Sequence, residues 1–154
     1  MRRATLQADG YEVDRHYTRF IEEELRRYPL RKIRMRAMED EIIRSSPGTE
    51  LGMPRGTDVS NPTSNRAMAL MKDAELAHIR GMVASVDEVL KLLTDDQREI
   101  IKHFYFENRL KAEGIAEKVK VHVQTVHRER NRALIRFCYT LIGEHTVREV
   151  HKNV

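Results

Sequence analysis

The sequence has little of what disulfide-rich, secreted or membrane proteins require. Aromatic residues make up 6% of the 154 residues, tryptophan is absent, and cysteine occurs once, at Cys138. One cysteine cannot form an intramolecular disulfide, so we interpret Cys138 as a small buried apolar residue. Neither a signal peptide nor an apolar run of membrane-spanning length occurs, which predicts a cytoplasmic protein without a membrane partner.

The sequence also lacks the motifs of the common catalytic and metal centres. It has no glycine-rich phosphate loop, no nucleophile elbow and no metalloprotease motif. None of its seven histidines is paired with cysteine or with carboxylates at ligand spacing, so we expect no metal site. We therefore predict that the protein is not an enzyme and needs no cofactor.

Charge is what the chain has in abundance. Charged residues make up 34% of the sequence, and the net charge is +4. A basic balance favours a polyanionic partner such as nucleic acid. Few aromatic residues and long polar faces fit an all-α fold better than a β-sandwich.

Residues 1–45 are predicted to form an N-terminal helical segment. Residues 1–13 lack periodicity and are predicted to be a loose arm. From Asp14 to Ser45 apolar residues recur at helical spacing. Pro29 interrupts this pattern and removes a backbone donor, so we predict a break or kink near Tyr28 and favour two helices over one.

Residues 46–63 are the predicted linker, because they hold three of the four prolines and three glycines. Asn61 as N-cap and Pro62 at the first helical position predict the start of a long central helix, residues 64–93. Its apolar residues follow a 3-4-3-4-3 spacing from Leu76 to Leu93. This seam predicts either the packed face of a helix within one chain or the coiled-coil surface of a homodimer.

Residues 94–143 are predicted to form a DNA-binding domain, followed by a tail at 144–154. A capping box at Thr94–Gln97 predicts the start of a helix that ends near Glu107.

The rest of this domain has the pattern of a helix-turn-helix. A short helix is predicted over Ala112–Val119, a turn at Lys120–His122 and a longer helix from Val123 to about Ile142. Ala116 is small enough to let the two helices approach closely. The apolar residues predicted to hold the crossing are Ile115, Val119, Val121 and Val126.

The outward face of the second helix carries residue types that recognise duplex DNA. Glutamine and asparagine can pair with adenine, arginine with guanine, and valine can contact a thymine methyl group. Lysine and arginine near the turn can meet phosphates. The predicted base-reading residues are Val123, Gln124, His127, Arg128 and Asn131. The predicted phosphate-contacting residues are Lys118, Lys120, Arg132 and Arg136.

The segment Leu93–Phe137 resembles the helix-turn-helix of bacterial sigma factor region 4. The resemblance rests on four stretches, Leu93–Ile101, Gly114–Val119, Gln124–Arg128 and Arg132–Leu134. Four residues depart from that family's pattern. Lys111 and His122 stand where serine or threonine usually cap the two helices, Lys120 replaces the customary glycine of the turn, and Arg130 replaces an apolar residue.

The order of segments is similar to that of phage transcriptional regulators of the RinA/ArpU type. The N-terminal helical segment, a linker ending in Asp58–Thr63, the long helix and the region 4-like C-terminus carry this resemblance. It implies activation of late phage genes in the host cytoplasm through promoter DNA, with host RNA polymerase as a second candidate partner. Two alternatives stay open: a DNA-packaging subunit of the small-terminase kind, and an adaptor that binds a polymerase subunit.

Overall fold

The computed structural model describes residues 4–45 and 62–150. The chain is mainly helical, as predicted, but the described residues also form a three-stranded antiparallel sheet that the all-α prediction lacked. The strands are β1 (Thr5–Ala8), β2 (Tyr11–Asp14) and β3 (Val147–Glu149). The α-helices are α1 (Arg15–Ser45), α2 (Pro62–Leu92), α3 (Asp95–Ile101), α4 (Ala112–Val119) and α5 (Val123–Phe137). Two π-helical segments, Lys102–Glu107 and Cys138–Ile142, follow α3 and α5, and a 3-10 turn, Glu144–Thr146, precedes β3.

Residues 5–14 form a β-hairpin, so the prediction of a loose arm at 1–13 is wrong for the described part. Asp9 and Gly10 make the two-residue turn, with φ of 52° and 82°. Aspartate followed by glycine is favoured where both central residues need positive φ. Leu6 and Val13 face each other in the pairing and are buried. The hairpin is therefore stabilised by its turn and by an apolar inner face.

The predicted tail at 144–154 also contains regular structure. β3 pairs antiparallel with β2 and places Val147 opposite Val13. The backbone N–H of Val150 donates to the carbonyl oxygen of Gly10 at 2.7 Å. β3 has only three residues and is stabilised by this pairing. The local sequence therefore gives no signal that predicts it.

Helix α1 continues through Pro29, so the favoured prediction of two separate helices is wrong. Proline inside a helix removes one hydrogen bond and costs roughly 3 kcal/mol. Ile21, Leu25 and Tyr28 lie in the preceding turns and are buried. Packing of these side chains outweighs the local penalty.

The chain divides into two compact units, residues 30–84 and residues 1–29 with 85–154. In the first of these, α1 and α2 are joined by three ion pairs. They are Arg34–Glu75, Glu39–Arg80 at 2.7 Å and Glu41–Lys72 at 2.6 Å. The predicted linker lies outside the described residues, except for Pro62 and Thr63, which begin α2; Asn61, the predicted cap, lies outside them too.

Five of the six apolar seam residues are buried within the single chain, as the packed-face alternative predicts, and the sixth, Leu90, is half-buried. In the unit of residues 30–84, the buried members are Leu76, Ile79 and Val83. In the other unit, Val86 and Leu93 are buried together with Val89. This seam is therefore not a free surface for a coiled-coil partner.

Helix α3 begins at the predicted capping box. The Thr94 hydroxyl oxygen accepts from the backbone N–H of Gln97, and the Gln97 side-chain oxygen accepts from that of Thr94, both at 3.2 Å. The π-helical segment after α3 ends at Glu107, and Asn108 adopts a left-handed conformation with φ of 48°. The predicted start and end of this helical stretch are confirmed.

Candidate functional site

Helices α4 and α5 pack through small and branched apolar side chains. A buried cluster joins α3, α4 and α5, and its members are Ile100, Ala112, Ile115, Ala116 and Val126. Val119 and Val121 are partly buried against this cluster, as predicted. Ala116 is only 6% exposed, and a larger side chain there would force the two helices apart. The four apolar residues predicted to hold the crossing therefore belong to, or pack against, one cluster.

The connection between α4 and α5 is a tight turn with a left-handed residue. Lys120 has φ of 59° and ψ of 44°, where the sigma-like pattern has glycine. The backbone N–H of Val121 donates to the carbonyl oxygen of Ala116 at 3.0 Å. His122 caps α5, because its Nδ1 accepts from the backbone N–H of Gln124 at 3.2 Å. His122 thus takes the role for which serine or threonine is usual.

Three of the predicted base-reading residues lie together on the outward face of α5. Gln124, His127 and Arg128 are exposed in the first two turns of the helix. The Arg128 side chain is 56% exposed, and its Nε lies 3.3 Å from Glu129 Oε1. Lys118 and Lys120, predicted to contact phosphates, are also exposed.

Val123 and Asn131, the other two predicted base-reading residues, are less accessible. Val123 is partly buried against the cluster formed by α3, α4 and α5. Its position suits an anchor for the first turn of α5 better than a contact with a base. Asn131 is half-buried, and its Nδ2 donates to the carbonyl oxygen of Gln7 in β1 at 3.4 Å.

The two arginines predicted to contact phosphates are bound to groups of the same chain. Arg132 Nη2 donates to Asp9 Oδ1 at 2.6 Å, its Nε lies 2.5 Å from Asp9 Oδ2, and its Nη1 donates to Glu129 Oε1 at 2.6 Å. Arg136 Nη1 donates to the carbonyl oxygen of Leu92 at 2.5 Å. The hydrogen bond from Arg132 holds the pKa of the Asp9 carboxyl below its usual value.

Two acidic residues that the sequence analysis did not single out organise this face. The Glu129 side chain is 13% exposed and also accepts from Gln97 Nε2 at 2.9 Å. Its spacing of three residues from Arg132 is a helical ion-pair signal. Asp9 had the hairpin signal of an Asp-Gly pair between alternating apolar residues. Neither signal shows that the two carboxylates would meet on one guanidinium.

Residues 4–45 and 62–150 also contain the groups that other kinds of site would need, namely carboxylates, histidines and one cysteine. Within those ranges, no group of three or more His, Cys, Asp or Glu side chains could hold a metal ion. The same ranges contain no helix with the length and apolarity needed to cross a bilayer. Cys138 is buried, and burial raises the pKa of its thiol to about 12, which disfavours the reactive thiolate.

Residues 30–138, more than half of the chain, match the model of a family described as protein of unknown function (DUF722). The chain belongs to the DUF722 family. The DUF722 match includes α4, the connection and α5, and it excludes the hairpin of β1 and β2. No curated protein and no solved structure matches the chain.

Replacing Lys120 with Gly is expected to raise the free energy of unfolding by about 0.5–1 kcal/mol, since glycine adopts the left-handed conformation without the penalty of a Cβ. Urea denaturation followed by circular dichroism measures the change. Lys118→Gly is the matched control, because Lys118 is an exposed residue inside α4. There the same substitution should lower stability by about 1 kcal/mol. Equal losses in both variants would contradict the left-handed connection.

Proposed function

We propose that this protein binds double-stranded DNA, with α4 and α5 acting as a helix-turn-helix and the start of α5 lying in the major groove. The observation that carries the proposal is the exposure of Gln124, His127 and Arg128 on one face of α5. The opposite face of the same helix is fully buried at Val126 and Ala133. A helix anchored on one side and polar on the other has the form that the major groove admits.

The exposed side chains have the chemistry to distinguish bases. The Gln124 amide can pair with the N6 and N7 atoms of adenine, and the Arg128 guanidinium can pair with the O6 and N7 atoms of guanine. His127 lies beside Arg128 and can donate to a base or to a phosphate. A good bidentate pair supplies about 1–3 kcal/mol of discrimination against a wrong base.

Lys118 and Lys120 are the proposed phosphate contacts closest to the connection. Both are exposed, at the end of α4 and in the turn that follows it. Ammonium groups at these positions can release counterions from the DNA backbone without reading sequence. Arg132 and Arg136 would have to leave Asp9, Glu129 and the Leu92 carbonyl before they could do the same.

The wider role that we propose is regulation of transcription. It extends the DNA-binding proposal with the resemblance to sigma factor region 4 and to RinA/ArpU-type regulators. That resemblance implies activation of late phage genes in the host cytoplasm, with host RNA polymerase as a further partner.

Salt-dependent binding to mixed-sequence duplex DNA tests the proposal. Fluorescence anisotropy of a labelled duplex should show an association constant that falls linearly on a log–log plot against salt concentration. Lys118→Ala should make this slope shallower by about 0.9, the contribution of one phosphate contact. The matched control Lys91→Ala removes the same charge from an exposed lysine of α2 and should leave the slope unchanged. Absence of binding at low salt would refute the proposal and favour the protein adaptor.

A further inference from the structure

We infer that Asp9 withholds Arg132 from the DNA backbone, so that the N-terminal hairpin sets how strongly this protein binds DNA of any sequence. The inference rests on the proposed function. It concerns Asp9 in the turn between β1 and β2 and Arg132 in α5. Both residues belong to the unit of residues 1–29 and 85–154.

The Asp9 carboxylate occupies the edge of the Arg132 guanidinium at which another anion could bind. The two Asp9 oxygens lie 2.6 Å and 2.5 Å from Nη2 and Nε of Arg132. The Nη2 contact is a hydrogen bond, whereas Nε is close to Asp9 without forming one. Arginine offers the same edge of its guanidinium to a phosphate. A DNA phosphate approaching this edge must therefore displace the Asp9 carboxylate.

The third nitrogen of Arg132 also donates a hydrogen bond within the chain. Its Nη1 donates to Glu129 at 2.6 Å, so one guanidinium serves two carboxylates. The formal charge of the three groups together is negative, although Arg132 alone would attract DNA. The hydrogen bond from Arg132 lowers the pKa of Asp9 most, and the charge of Arg128 adds to this lowering.

Asp9 reaches Arg132 because the hairpin holds it there. The backbone N–H of Arg15 donates to the Ala4 carbonyl at 3.0 Å and closes the open end of the hairpin. β3 pairs along the other edge of β2. Gln7, in β1, accepts from Asn131 of α5 at 3.4 Å. The sheet thus fixes the backbone that carries Asp9 beside Arg132.

The consequence is a lower backbone affinity that affects all sequences alike. With Arg132 withheld, binding depends more on the contacts that Gln124 and Arg128 make with bases. Asp9 is in this sense a residue that favours specificity without itself contacting a base.

Asp9→Asn tests the inference with little disturbance of the turn, since Asn-Gly is as well suited to it as Asp-Gly. The variant should bind mixed-sequence duplex DNA about five- to tenfold more tightly at about 0.1 M salt, because one freed arginine adds one phosphate contact. The log–log salt slope should become steeper by about 0.9. Circular dichroism checks that the fold is retained.

Glu12→Gln is the matched control. It removes one negative charge from the same hairpin, where Glu12 accepts from Gln7 and lies near Arg148 rather than Arg132. Its effect measures the change in net charge alone. The double variant Asp9→Asn with Arg132→Gln should bind no more tightly than Arg132→Gln, because the gain requires the freed guanidinium.

The outcomes separate this inference from the proposed function. If the wild type binds duplex DNA but Asp9→Asn matches Glu12→Gln in affinity and slope, the inference is overturned and the proposed function stands. Weaker binding by Asp9→Asn also overturns the inference, since the hairpin would then contribute affinity. If the wild type does not bind duplex DNA at low salt, the proposed function fails first.

Discussion

Arg128→Ala is expected to weaken binding to the protein's preferred sequence by about 1–3 kcal/mol, a loss of roughly 5- to 150-fold in affinity. The Arg128 side chain is exposed in the second turn of α5, between His127 and the largely buried Glu129. A guanidinium at this position can pair with guanine through its planar fork, which alanine lacks. Anisotropy titrations with the preferred duplex and with a scrambled duplex measure both affinity and discrimination.

Arg66→Ala is the control for charge, because Arg66 is an exposed arginine of α2. This substitution should weaken binding to both duplexes slightly and by the same factor. Arg128→Ala should instead reduce the ratio of the affinity for the preferred duplex to the affinity for the scrambled duplex. A variant that keeps the wild-type ratio would show that Arg128 does not read a base.

Phe137→Ala is expected to lower the free energy of unfolding by about 3–5 kcal/mol. Phe137 is fully buried at the end of α5, among the largest side chains in the core. The loss is large against the total of about 5–15 kcal/mol that ordinary domains have. Urea denaturation measures the loss, and DNA binding should disappear as the folded fraction falls.

Phe20→Ala makes the same substitution where the side chain is 52% exposed on α1. It should cost less than about 1 kcal/mol, because little apolar surface returns to water. Similar losses in the two variants would mean that the inner face of α5 is not the anchor described above.

Strong local signals account for the parts of the fold that the sequence predicts. The capping box at Thr94 and Gln97 is a reciprocal pair of bonds within four residues. The short helix Ala112–Val119 has the predicted bounds, because its apolar spacing and the turn that follows are both local. Such signals need no knowledge of distant partners.

Tertiary contacts account for most of what the sequence does not predict. Pro29 disfavours a helix locally, yet α1 continues past it because the packing of buried Leu25 and Tyr28 outweighs that cost. β3 has three residues and exists through its pairing with β2. The turn at Asp9 and Gly10 is the exception, since its dipeptide is a hairpin signal in its own right.

The candidate site follows the same division. Exposure of Gln124, His127 and Arg128 follows from helical periodicity, which the sequence displays. The engagement of Arg132 by Asp9 joins residues 123 positions apart. No spacing rule predicts such a contact. The sequence therefore predicts an Arg132 side chain available to a phosphate, although it is bound to Asp9.

Selection of bound sequences from random duplex DNA is the most direct test of the claim that the outward face of α5 reads bases. The wild type should enrich one motif, and Arg128→Ala should enrich a motif that has lost its preference at one position. A pool that stays random, or an identical motif from the two proteins, would contradict the claim.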